Sequence, residues 1–128
     1  MHPAARLYTG GYFKASLRLA KLIASDEKSI FILSAKYGVV GLQERIEQYD
    51  LKLSQLEPTA RQEWFRAIRQ RIAELTTAAM PVFVCGQLYH SNLDGFKVLP
   101  MGGIGTQLQF MNRLILLLQK QPRLRFPV

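Results

Sequence analysis

A lysine, a tyrosine and a glycine directly after an apolar run make an unusual exit from a strand. The segment Leu33-Ser34-Ala35-Lys36-Tyr37-Gly38 follows Ser29 to Ile32, and it presents a mobile cation, an aromatic plate and a residue able to take positive φ. In an open α/β sheet, ligands lie outside the carboxyl ends of strands, which is where these residues are expected. Four of the five tyrosines (Tyr8, Tyr37, Tyr49 and Tyr89) sit in polar stretches or beside glycines. Such rings can stack on nucleic-acid bases or close the edge of a core through a bonded hydroxyl. Asp50 stands apart from the other carboxylates, in the alternating stretch YDLKL. It suits either a turn or strand-start cap or a catalytic or ligand-binding role. The run Gly102-Gly103-Ile104-Gly105 before a helix offers backbone N–H groups to an anion, or close helix–sheet packing. It matches neither a dinucleotide fingerprint nor a Walker loop. The single cysteine, Cys85, reads as a buried structural thiol, and two scattered histidines, His2 and His90, form no metal constellation. No metal and no cofactor is expected.

Charge narrows the class of partner. Of 128 residues, 17 are Lys or Arg and 9 are Asp or Glu, a net charge of +8. Met1 to Ser25 and Gly95 to Val128 carry basic residues and no acid, so both ends of the sequence are cationic. The bias favours a polyanion, above all nucleic acid, over which a merely solubilising surface is the alternative. No run has the length of a signal-peptide core or a membrane span, and a cytoplasmic protein with no membrane association is expected.

The helices and strands around these residues are legible as periodicity. Tyr12 to Ala24 has helical spacing, with Phe13, Leu17, Ala20 and Ala24 on one face and Lys14, Arg18 and Lys21 on another. Ser29 to Leu33, Pro81 to Gly86 and Phe96 to Leu99 read as short buried strands, and Val39 to Leu56 as mostly irregular. A helix starts near Pro58, a residue suited to the first helical position, with Phe65, Ile68, Ile72 and Leu75 inward and Arg61, Arg66, Arg69 and Arg71 outward. The last helix, Thr106 to Lys120, is apolar nearly all round and is predicted to be the most buried. This alternation predicts an α/β fold: one layered domain over residues 1–128, with a small, mostly parallel sheet flanked by helices.

The blocks LYTGGYF, FILSAKYGVV, YDLKL and GIGTQL resemble those of the YaaA-like family, over most of the chain from Leu7 to about Leu108. The resemblance implies an α/β fold, association with DNA and a link to oxidative stress or modified-DNA handling. It also implies that Tyr8, Thr9, Gly10, Ser34, Lys36, Tyr37, Gly38, Tyr49, Asp50, Gly103, Gly105 and Gln107 line one pocket. Family members open with an apolar strand ahead of the LYTG block, and this sequence begins MHPAARLYTG instead. Three arrangements would satisfy the neighbours of that strand: pairing by the segment before Tyr8, closure of the flanking strands, or a homodimer through an open sheet edge, the last slightly favoured.

These observations point to a nucleic-acid-associated protein, DNA before RNA. If it is an enzyme, N-glycosidic cleavage is the chemistry expected. Asp50 would stabilise the oxocarbenium-like centre or position water, and Lys36 would hold a phosphate or attack C1′. Tyr37, Tyr49 or Tyr89 would sandwich a flipped base. Lys14, Arg18 and Lys21, helped by Arg113, Arg123 and Arg125, would contact the backbone. The alternatives are a non-catalytic DNA-binding protein and a partner module completed by another chain.

Overall fold

A computed structural model of the chain describes residues 1–76, 80–90 and 92–120, with only the backbone of Gln87 and His90. Its elements are β1 (His2–Pro3), α1 (Ala4–Leu7), α2 (Gly11–Ile23), β2 (Phe31–Ser34), β3 (Gly38–Gly41), β4 (Arg45–Ile46), α3 (Pro58–Leu75), β5 (Val82–Phe83), α4 (Gln87–His90), β6 (Phe96–Lys97) and α5 (Ile104–Lys120). The class is α/β, with small sheets among helices. The sheets correct the expected topology. Among the described residues there are three strand pairs, β1–β4 and β2–β3 antiparallel and β5–β6 parallel.

The described residues fall into two compact units. One comprises Met1–Tyr8 and the described part of Phe31–Ala79. Its centre is the β2–β3 hairpin, in register from Phe31↔Gly41 to Ser34↔Gly38. The segment after Leu33 is therefore no parallel strand end. Three residues, Ala35 to Tyr37, turn the chain straight back, and Gly38 closes the turn at φ 79°, a left-handed conformation that suits glycine. The stretch expected to be irregular supplies both β3 and β4. A hairpin needs little loop closure, so it forms from adjacent sequence where a parallel pair would need a crossover. Side chains alternate along β2, with Phe31 exposed and Ile32 and Ser34 buried. Pro58 opens α3, which buries Phe65 and Ile68 and packs on β3. Its expected inner face is shorter than predicted, since Leu75 is exposed.

The N-terminal segment pairs with β4. His2 and Pro3 pair with Ile46 and Arg45, and the N–H groups of Ala4 and Ala5 donate to Glu44 O and Leu42 O at 2.8 and 2.9 Å. Among the described residues the segment before Tyr8 thus pairs with β4 alone, in a two-stranded sheet. Pro3, which has no N–H, is tolerated because this strand is two residues long.

The second unit comprises Thr9–Ile30 and the described part of Met80–Val128. Helices α2 and α5 pack together, with Ala15, Leu19 and Ile23 against Met111, Ile115 and Leu118 and the adjoining Val98 and Leu99. The buried stripe of α2 is rotated from the predicted face, because Ala15, Leu19 and Ile23 at i, i+4, i+8 are the residues that meet α5. Helix α5 is not buried all round. Phe110, Leu116 and Leu117 are exposed, while Gln107 and Met111 are covered. A run of leucines has no phase of its own, so only the neighbour decides which side is buried. The β5–β6 pair depends on Gly95, where a Cβ would come 2.5 Å from Pro81 O. That close approach lets Phe96 N–H donate to the same oxygen at 2.9 Å. No helix among the described residues is long and apolar enough to cross a membrane.

Candidate functional site

The first unit builds its site around Ser34, which is fully buried at the end of β2. Its Oγ accepts the N–H groups of Lys36 and Tyr37 at 3.3 and 3.0 Å, pinning the hairpin turn from inside. The same hydroxyl donates to the Tyr49 hydroxyl at 2.7 Å, and Tyr49 in turn meets the Tyr8 hydroxyl at 2.6 Å. The Trp64 indole on α3 donates to Ser34 O at 3.0 Å. A residue with both its hydroxyl and its carbonyl engaged by distant partners cannot drift, and the turn it carries is held with it.

Above this network the rings are arranged edge-to-face. Tyr49 meets Tyr8 with centroids 6.2 Å apart and Tyr37 at 5.7 Å, at interplanar angles of 79° and 74°. Tyr37 is 38% exposed, and the Lys36 ammonium lies 5.3 Å from its ring centroid. The turn therefore shows solvent a cation and an aromatic ring from adjacent residues, while Tyr8 and Tyr49 lie half-buried behind them. Chemically, this arrangement can hold an anion and stack a flat ligand.

The expected site residues divide between the units. Tyr8, Ser34, Lys36, Tyr37, Gly38 and Tyr49 come together in the first. Asp50 belongs to that unit too, exposed next to Tyr49, and among the described residues no ion pair joins it to Lys36. Thr9, Gly10, Tyr89, Gly103, Gly105 and Gln107 belong to the second. There Gly10 is the residue that precedes α2, and its carbonyl accepts the Lys14 N–H at 3.0 Å. Gln107 is buried and its amide is spent internally, accepting the Tyr12 hydroxyl at 2.8 Å and donating to Pro100 O at 3.0 Å. A Cβ at Gly103 or Gly105 would meet nothing within 4 Å, so close packing is not what places glycine there. Tyr89 is half-buried on α4. Burial pushes the Tyr12 hydroxyl up to about 12, with Cys85 and Tyr89 adding to it. Burial likewise pushes the Cys85 thiol up to about 11 against the pull of Lys97, so it stays protonated at neutral pH, as a structural thiol does. Among the described residues, no three His, Cys, Asp or Glu side chains are grouped to hold a metal ion.

The basic residues separate by partner. Lys14 and Arg18 are exposed on α2, and among the described residues neither forms an ion pair. Lys21 pairs with Glu27 at 3.3 Å, both side chains in solvent. On α3, Arg66 pairs with Glu63 and Arg71 with Glu74. Arg61 donates to Ser54 O and Leu56 O, each at 3.1 Å, so it braces the preceding turn rather than projecting outward as predicted. Arg113 is exposed on α5, whereas Arg123 and Arg125 lie outside the described residues.

Trp64 is a site residue that the sequence does not single out. Its one cue is position beside Phe65 on the inner side of α3, and nothing in the sequence says that an indole there reaches a carbonyl 30 residues away.

A family model described as "Family of unknown function (DUF6884)" matches residues 1–113, and the chain belongs to that family. No curated protein and no solved structure matches it.

Proposed function

We propose that the protein binds nucleic acid, DNA in the first instance, through the hairpin turn that carries Lys36 and Tyr37. The observation that carries the reading is the Lys36 ammonium held over the exposed Tyr37 ring on a turn pinned by the buried Ser34. A phosphate suits the cation and a base suits the ring. The net charge of +8, with Lys14 and Arg18 in no ion pair among the described residues, supplies the long-range attraction that such a ligand needs. The resemblance of LYTGGYF, FILSAKYGVV, YDLKL and GIGTQL to YaaA-like blocks supports the same ligand class, and membership of that wider family is part of the proposal.

The test is fluorescence anisotropy with a labelled oligonucleotide across a salt series. Removing one cation that touches a phosphate should reduce the salt slope by roughly one, because fewer condensed counterions are then released on binding. Lys36→Gln should weaken binding and flatten the slope by about that amount, and Lys14→Gln with Arg18→Gln should flatten it further. Absence of binding at low salt defeats the reading.

A second reading adds catalysis. Asp50 directly follows Tyr49, whose hydroxyl is locked to Ser34, so its backbone lies beside the tyrosine cluster. In N-glycosidic cleavage the bond between sugar C1′ and the base would break and water would add to C1′, its proton going to the departing base, while the Asp50 carboxylate stabilises the sugar cation and Lys36 holds the phosphate. Release of free base from plain or modified DNA, abolished in Asp50→Asn with binding intact, is the result that supports it. A homodimer through an open strand edge belongs to the same proposal and is tested by light scattering.

A further inference from the structure

We infer that the nucleic acid taken at the hairpin turn is single-stranded, with one unpaired base stacked on Tyr37 and its phosphate held by Lys36. This rests on the nucleic-acid reading above and adds the form of the ligand. A duplex covers both faces of every base with neighbouring bases, so it offers a protein base edges and phosphates. A tyrosine ring is a poor reader of either, but it is a good platform for an unstacked base, whatever that base is.

The geometry favours the platform. Tyr37 is 38% exposed at the apex of a turn whose backbone N–H groups are tied to Ser34 Oγ, so the ring is presented with little freedom left to lose. Its contact with Tyr49, centroids 5.7 Å apart at 74°, is edge-to-face and holds the ring upright rather than stacking on it. Lys36 lies 5.3 Å from the centroid, from the neighbouring residue. An exposed cation–ring contact is weak. A phosphate draws the ammonium away, and the ring face it covered becomes available to the base attached through the same sugar. Tyr8 and Tyr49 do not extend the platform, because both are half-buried with hydroxyls bonded to each other. One base per turn is the expected stoichiometry at this site.

The experiment compares one labelled oligonucleotide alone with the same strand annealed to its complement, by anisotropy at fixed salt. The wild-type protein should prefer the single strand. Tyr37→Ala should lose about 5- to 150-fold in single-strand affinity, the range for removing one stacked base, and should lose less in duplex affinity, so that the preference for the single strand narrows. Tyr37→Trp should retain the preference, and Tyr37→Leu, which keeps apolar bulk and loses the π-face, should not. Thermal melts of each variant separate loss of the ring from loss of the fold. Equal binding of both forms, unmoved by any of the three substitutions, overturns the inference while nucleic-acid binding stands. Binding to neither form overturns both.

Discussion

The hydroxyls of Tyr8 and Tyr49 lie 2.6 Å apart across 41 residues of chain, and the second of them receives the hydroxyl proton of the buried Ser34. One short bond thus ties the end of the N-terminal segment to the residue that shapes the hairpin turn.

Removing the middle of this network should cost more than removing its end. Tyr49→Phe leaves the Ser34 proton without an acceptor inside the fold, and a loss of about 1–3 kcal/mol is expected. Tyr8→Phe removes an ordinary bond from a half-buried hydroxyl and should cost roughly 0.5–1.5 kcal/mol. Urea unfolding of both variants measures the difference, and a Tyr49→Phe protein as stable as its parent contradicts the network.

The turn should be sensitive to a β-carbon at position 38 for reasons of backbone, not space. A Cβ there would sit 3.6 Å from Ile68 Cδ1, an ordinary contact, but φ is +79°. Gly38→Ala should therefore destabilise by about 1–2 kcal/mol, and Gly38→Asn by less, since asparagine visits that region more readily. Equal midpoints for the two variants would show that the left-handed conformation is not what fixes the turn.

Helix α5 provides a paired comparison on one element. Met111 is fully buried against α2, so Met111→Ala should cost about 2–5 kcal/mol. Leu116 is 55% exposed, and Leu116→Ala should stay within about 0.5 kcal/mol. Similar losses at both sites would restore the all-round burial that the sequence suggests.

Alkaline pH should destabilise the second unit's core. Burial raises the Cys85 thiol from 9.0 to about 11 and the Tyr12 hydroxyl from 10.0 to about 12, so the unfolded chain gives up these protons first. Their contribution to stability is full below about pH 9, declines as the unfolded chain ionises, and is gone once pH has risen through about 11 for Cys85 and about 12 for Tyr12. The urea midpoint followed across this window should fall, and Cys85→Ala with Tyr12→Phe should flatten the decline. An unaltered decline in the double variant would place its origin elsewhere.

Much of the fold is legible in the chain itself. The existence of the three long helices follows from apolar spacing and from Pro58, and the short strands of the apolar runs follow from β-branched composition, within a few residues of their ends. The concentration of tyrosines, Lys36 and the basic termini needs only reading. What stays hidden is relational. GVVG after AKY fits a returning strand as well as a loop, and only pairing from Phe31↔Gly41 to Ser34↔Gly38 makes it one. The inner stripe of α2 and the exposed side of α5 are set by each other, because each helix has more than one apolar side and burial goes to whichever meets a partner.

Propensity, periodicity and charge are local quantities, so the residues alone specify an α/β chain, basic at both ends and furnished with a lysine and tyrosines in polar stretches. That Ser34 is the hub, that Tyr49 and Tyr8 complete its hydrogen bonds, and that Trp64 closes on its carbonyl emerges with the folded unit alone. A buried hydroxyl must find partners, but any of several distant side chains can satisfy it, and packing of the whole unit chooses among them.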